Sequence, residues 1–166
     1  MNTRWVASLR YIDTELPRPR WRWTTNYRVI PTLQLGVEYN PVVGEVGPLV
    51  TWFLSTETER RPAVFFGTSS DRIGSPEGTQ AYYVTAAKYL PALHVSPYVT
   101  LNYSEWDQGM NVPFGANIEI GHGLSVQPMY DGARTHLLGT FATERFSATL
   151  IWAWLEDAGV AVSVGF

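Results

Sequence analysis

The sequence predicts an all-β chain: a closed, antiparallel, up-and-down transmembrane β-barrel of about twelve strands, spanning residues 1–166 as a single domain. Three observations lead there. Apolar and polar residues alternate in units of roughly eight to ten residues, the period of a strand with two different faces. Each unit ends in a turn signal rich in Gly, Pro, Asn or Asp. The composition is 45% hydrophobic and 14% aromatic but only 16% charged, and no apolar run approaches the ~18 residues of a membrane helix.

The strands follow from the turns. The first is expected at Arg4 to Asp13, with Trp5, Ala7, Leu9 and Tyr11 on one face. The second, Arg20 to Arg28, sets Trp21, Trp23 and Tyr27 against Arg20, Arg22, Asn26 and Arg28, and Val29-Ile30-Pro31 turns the chain. The third, Thr32 to Asn40, alternates most cleanly: Leu33, Leu35, Val37 and Tyr39 oppose Gln34, Gly36, Glu38 and Asn40. Strands four to six are expected at Leu49 to Glu57, Pro62 to Thr68 and Thr79 to Tyr89; helical spacing in the last is too short to prevail among strand neighbours. The seventh, His94 to Tyr103, sets Val95, Val99 and Leu101 against His94, Ser96, Thr100 and Asn102. The rest are expected at Phe114 to Ile120, Leu124 to Tyr130, His136 to Ala142, Phe146 to Leu155 and Gly159 to Phe166.

An even strand number suits a single-chain barrel. Connections near Pro31, Arg60, Pro91, His122 and Glu144 read as tight, and those at Pro41–Gly47, Ser69–Gly78 and Ser104–Val112 as longer, with none long enough to form a plug. Aromatics such as Trp5, Tyr11, Trp21, Tyr39, Tyr103, Trp152 and Phe166 lie mostly near strand ends on the apolar face, where rings occupy the two interfaces of a bilayer. The apolar face is therefore expected outside. Arg at Val37 or Val99 should cost ~2–4 kcal/mol at a bilayer midplane, whereas Arg at Gly36 or Thr100, on the opposite parity, should matter less if the lumen is wet. The competing architecture is a soluble sandwich or lipocalin-like barrel whose aromatics fill a core.

The last segment, with Val160, Val162, Val164 and Phe166 at alternate positions, resembles the C-terminal strand of bacterial outer-membrane β-barrel proteins. The resemblance extends to the architecture of the whole chain but names no narrower family. It implies a bacterial outer-membrane location, contact with membrane lipid and lipopolysaccharide, and recognition of the strand ending in Phe166 by the insertion machinery. No signal peptide is legible in Met1-Asn2-Thr3-Arg4; if the protein is exported, the sequence is expected to be a mature or recombinant form.

The net charge of −3 argues against nucleic acid as a partner, and the absence of cysteine excludes disulfides and thiolate metal sites. No cofactor is implied. His122 and His136 have no partner at metal-ligand spacing.

The residues that carry chemistry lie on the polar faces. Arg10, Arg20, Arg22 and Arg28 form an early basic wall, with Glu38, Glu57 and Glu119 as acidic neighbours. Inside a barrel these groups either create a field that orients an anionic solute or pair with one another and fill the lumen. Arg10 is expected opposite the small residues Ala161, Ser163 and Gly165 of the closing strand, and one of the wall arginines within reach of Glu38, Glu57 or Glu119. His94, Asn102 and Asn117 complete the lumen-lining set. With Ser96, His94 raises the idea of a Ser–His–Asn hydrolase, but shared parity is not hydrogen-bond geometry, and a satisfied polar lumen is the favoured reading. Asp71 and Glu77 in the loop 67–78 lack the ligand spacing of a calcium loop, so that loop reads as solvated or locally paired. Trp106 and Met110 mark either a partner contact or a fold-back over the mouth. Two functions remain: a small pore for polar or anionic solutes, or a non-enzymatic anchoring subunit of an envelope complex with a filled lumen.

Overall fold

In the computed structural model, described for residues 3–166, alternation becomes thirteen strands and one helical turn. Met1 and Asn2 lie outside the described residues. The elements are β1 (Trp5–Ile12), α1 (Pro17–Arg20), β2 (Trp21–Ile30), β3 (Leu33–Asn40), β4 (Glu45–Ser55), β5 (Ala63–Ser70) and β6 (Gln80–Ala87). They continue as β7 (Val95–Ser104), β8 (Gly109–Asn111), β9 (Phe114–Gly121), β10 (Leu124–Tyr130), β11 (Thr135–Ala142), β12 (Phe146–Ala153) and β13 (Asp157–Gly165).

Sequential neighbours pair antiparallel around the sheet. β8 and β9 share one stave: β8 pairs with the far half of β7 and β9 with the near half. The break between them falls at Val112-Pro113, where proline offers no N–H to a ladder. Thirteen strands with two on one stave give twelve positions around the barrel. β1 pairs with β13 from Val6↔Gly165 to Ile12↔Gly159, and the Trp5 and Phe166 backbones exchange hydrogen bonds of 2.9 and 3.0 Å. The chain is thus a closed twelve-strand antiparallel up-and-down β-barrel.

Closure gives each strand an outer and an inner parity. Val37 is 54% exposed and Leu150 70%, whereas Glu38 is 1% exposed. The outer surface is apolar: Trp23, Leu35, Val37, Trp52, Val99, Leu101, Leu150, Val160 and Val162 all project outward. The inner surface is mostly polar, with cross-strand threonine pairs Thr85–Thr100 and Thr140–Thr149 at 2.8 and 2.9 Å. One inner patch is apolar, where Ile12, Ile151 and Ala153 pack with Leu138, Ala161, Trp154 and Ile73.

Several details differ from expectation. The second segment does not begin at Arg20: Pro17 and Pro19 stand at the start of a helical turn, a position that tolerates their missing N–H. The 41–44 connection is short because β4 begins at Glu45, and 105–108 is the tip of the β7–β8 hairpin. The turns near Arg60 and Pro91 are tight, as expected: the Thr58 N–H donates to the Arg61 carbonyl at 3.0 Å, and Leu90 bridges Val95 across residues 91–94. Because 41–44 and 105–108 are short as well, the contrast between the rims is weaker than the turn signals suggest. At His122-Gly123 the φ values of 54° and 79° suit a two-residue hairpin turn with both central residues left-handed. Gly36 and Thr100 are not open inner positions either. A Cβ on Gly36 would overlap the Asn26 amide and the Thr25 carbonyl, and Thr100 is buried against Thr85.

Candidate functional site in the barrel lumen

The centre of the lumen is built from cross-strand geometry. Arg10 on β1 lies directly opposite Arg22 on β2, and on its other side opposite Ala161 on β13. Two like charges side by side need a compensating carboxylate. Glu38 on β3 supplies it: its Oε2 accepts from Arg22 Nε at 3.0 Å. Gly47 stands opposite Glu38 on β4 and leaves room for the carboxylate. Asn40 donates to both Glu38 Oε1 and Glu45 Oε2 at 3.2 Å. Glu45 in turn accepts from Arg18 Nε at 2.6 Å and from the Gly78 N–H at 2.6 Å. A ladder of charge-assisted bonds thus climbs from mid-barrel to the rim opposite Trp5 and Phe166.

That rim is covered. The 71–79 segment, too short for a plug, folds inward and is fastened on three sides. Arg18, buried in α1, binds the Ser75 side chain and carbonyl. Asp71, also buried, accepts from Ser104 Oγ at 2.6 Å, the Trp106 N–H at 3.2 Å and the Arg72 N–H at 2.8 Å. It is therefore neither solvated nor open as a metal ligand. Arg72 Nη2 binds Asp107 Oδ1 at 2.8 Å and lies 4.2 Å over the Trp106 ring, and this hydrogen bond holds the Asp107 carboxyl below its usual range. Ile73 packs into the apolar patch of Ile12 and Ile151. Met110, by contrast, is exposed on the outer side.

A buried histidine braces the same rim. His136 Nδ1 accepts from the Trp154 N–H at 3.1 Å, so Nε2 carries the proton donated to Asp131 Oδ2 at 2.7 Å. Burial pushes the Asp131 carboxyl up; the hydrogen bonds from His136 and from the Arg134 and Ala133 N–H groups bring it below its usual value.

Beneath the covering segment lies a cavity of about 390 Å³, bounded by Arg10, Arg22, Met129, His136, Leu138, Thr149, Ile151 and Ile73. Arg10 Nε is buried there without a hydrogen-bond partner. A second cavity of about 360 Å³ is lined by Tyr83, Tyr98, Asn117, Gln127 and neighbours. The Tyr83 ring lies across Gly67, where any Cβ would overlap it.

Of the residues expected to line the lumen, Arg10, Arg22 and Glu38 come together. Arg28 projects inward opposite Gln34 and borders a separate cavity with Gln34 and Phe53. Asn102 is buried and donates to Asn111 at 3.0 Å. Arg20, Glu57 and His94 fall outside the strands, which corrects their expected place on the wall. Arg20 holds the Thr14 carbonyl at 2.8 Å. Glu57 accepts from Lys88 at 3.2 Å and from the Tyr89 N–H at 2.9 Å. His94 and Glu119 flank the Tyr89 hydroxyl at 3.5 and 3.0 Å, near the ends of β7 and β9. Of the two candidate third members of a Ser–His–Asn set, only Asn117 comes near Ser96. Ser96 pairs with Asn117, but Asn102 is six residues further along β7, about 20 Å away. Alternation had not placed Arg18, Asp71, Arg72, Asp131 or His136 at the lumen. An arginine between two prolines was the one legible sign for Arg18. No protein-family model matches the chain, and no curated protein matches it.

Two outcomes follow. Glu38→Gln strands Arg22 beside Arg10 in the lumen and should cost about 3–5 kcal/mol in urea unfolding of the refolded protein; an unchanged midpoint contradicts the pairing. A carboxyl depressed on folding stabilises the native state above its unfolded value of ~3.9, and that contribution is lost as pH falls through the folded value. Asp131→Asn should therefore lower the unfolding midpoint at neutral pH, with the difference from wild type fading well below pH ~3.9. A pH-independent difference contradicts this assignment.

Proposed function

We propose that the chain is an integral barrel of the bacterial outer membrane whose lumen forms a narrow path for small polar or anionic solutes. The observation that carries the membrane reading is the outward apolar face. Large side chains on the outer parity meet solvent on every side of a sheet that has no edge, which is the arrangement hydrocarbon demands. Outward aromatics gather toward both ends: Trp5 against Tyr27 at one, Tyr11 against Trp21 at the other, with ring centroids 4.6 and 4.8 Å apart. In this reading the outer face contacts lipid and lipopolysaccharide, and the strand ending Val164-Gly165-Phe166 is what the insertion machinery recognises.

The anionic preference rests on Arg10, whose charge lines an interior cavity with a buried, unpartnered Nε. A second reading, an anchoring subunit of an envelope complex, is favoured by the covered mouth: the Arg18–Glu45 pair and Ile73 fasten the 71–79 segment over the lumen.

Planar-bilayer recording separates the two. The solute-path reading predicts small discrete conductance steps that prefer anions, and a reversal potential shifted toward cations when Arg22 and Arg28 are both replaced by Gln. Folded protein that gives no steps removes the path and leaves the anchoring role.

A further inference from the structure

We infer that the cavity beneath the 71–79 segment is a binding site for a small organic anion with an apolar body, its carboxylate held by Arg10. This deepens the solute-path reading and rests on it for the solute's passage, though binding itself is measured separately.

The argument is one of charge and shape. The other cations at this cavity are committed: Arg22 to Glu38, Arg18 to Glu45 and Arg72 to Asp107. The two wall carboxylates are committed too, Asp71 to Ser104 and two N–H groups, Asp131 to His136 and two N–H groups. Among the described residues that line this cavity, the Arg10 Nε is the buried donor without an acceptor. The charges that act on it are Arg22, Glu38 and Arg18, two positive and one negative. An unpaired guanidinium in a confined lumen is costly, and an oxyanion that takes its planar fork of donors removes the cost. Space for one exists because Ala161, the residue opposite Arg10 on β13, has a side chain of a single carbon.

The rest of the cavity specifies the ligand's body. Ile73, Met129, Leu138 and Ile151 supply an apolar wall, and the nearby Thr149 hydroxyl is already engaged with Thr140. A volume of about 390 Å³ is at the small end of ligand pockets, which run from ~300 to ~1,000 Å³. A cation beside an apolar wall discriminates against both hydrated inorganic anions and neutral apolar molecules. It fits a short-chain or aromatic monocarboxylate.

The test uses refolded full-length protein in detergent micelles and benzoate as the probe, followed by equilibrium dialysis and ligand-observed NMR. Benzoate should bind saturably at one site. Benzamide, which keeps the ring and loses the charge, and acetate, which keeps the charge and loses the ring, should each bind at least about tenfold more weakly. Arg10→Gln should lose at least about tenfold in benzoate affinity, with Arg10→Lys intermediate. Ala161→Phe keeps Arg10 but fills the space, and should abolish binding while correcting for partition into micelles. Absent benzoate binding by wild-type protein, equal affinity for benzamide, or undiminished binding by Arg10→Gln overturns the site. Benzoate binding without bilayer conductance overturns the path alone, and conductance without benzoate binding overturns the site alone.

Discussion

The seam between β1 and β13 is the constraint on which the remaining features depend. Once those strands exchange their backbone hydrogen bonds, the sheet has no edge, and each strand must put alternate residues on two surfaces of opposite character. A shift by one residue would turn Arg10 and Glu38 outward and Val37 inward, so register and surface chemistry enforce each other. Closure also confines the inner side chains. A charge on an open sheet could turn to water, but one in this lumen has only the few residues that face it to pair with. The ladder from Arg22 through Glu38, Asn40 and Glu45 to Arg18 is the outcome of that confinement.

Confinement also sets side-chain size. Long inner residues are matched by small ones across the ladder: Glu38 by Gly47, Tyr83 by Gly67, Arg10 by Ala161. Where the long residue has a protein partner, as Glu38 has, the match simply fills space. Arg10 has no such partner: it lines a cavity beside the small Ala161, with its Nε buried and unpaired. The difference between those two outcomes separates an inert interior from one with a site.

The faces were legible wherever alternation is strict. β3, β7 and β13 show it in one-residue steps, and the place of Arg10 opposite Ala161 follows from the small residues of β13. The closing of the mouth was not legible. Asp71, Arg72 and Ser75 are ordinary loop residues by type, and only the distant Arg18, Ser104 and Asp107 make them inward-facing. Glu57 and His94 were placed on the wall because alternation runs to the strand ends, where the Glu57 carboxylate turns to Lys88 and the Tyr89 N–H and the His94 ring to the Tyr89 hydroxyl. His136 was read as a solitary histidine because its partners, Asp131 and the Trp154 N–H, lie on two different connections.

The most direct test of the account is a spin-label scan along β3 from Gln34 to Tyr39 in lipid vesicles, reading collision with oxygen and with a water-soluble nickel chelate. The account predicts a period of two, with Leu35, Val37 and Tyr39 favouring oxygen, Val37 deepest, and the labels between them shielded from lipid. High nickel access at Leu35, Val37 and Tyr39, or access that does not alternate, would contradict it.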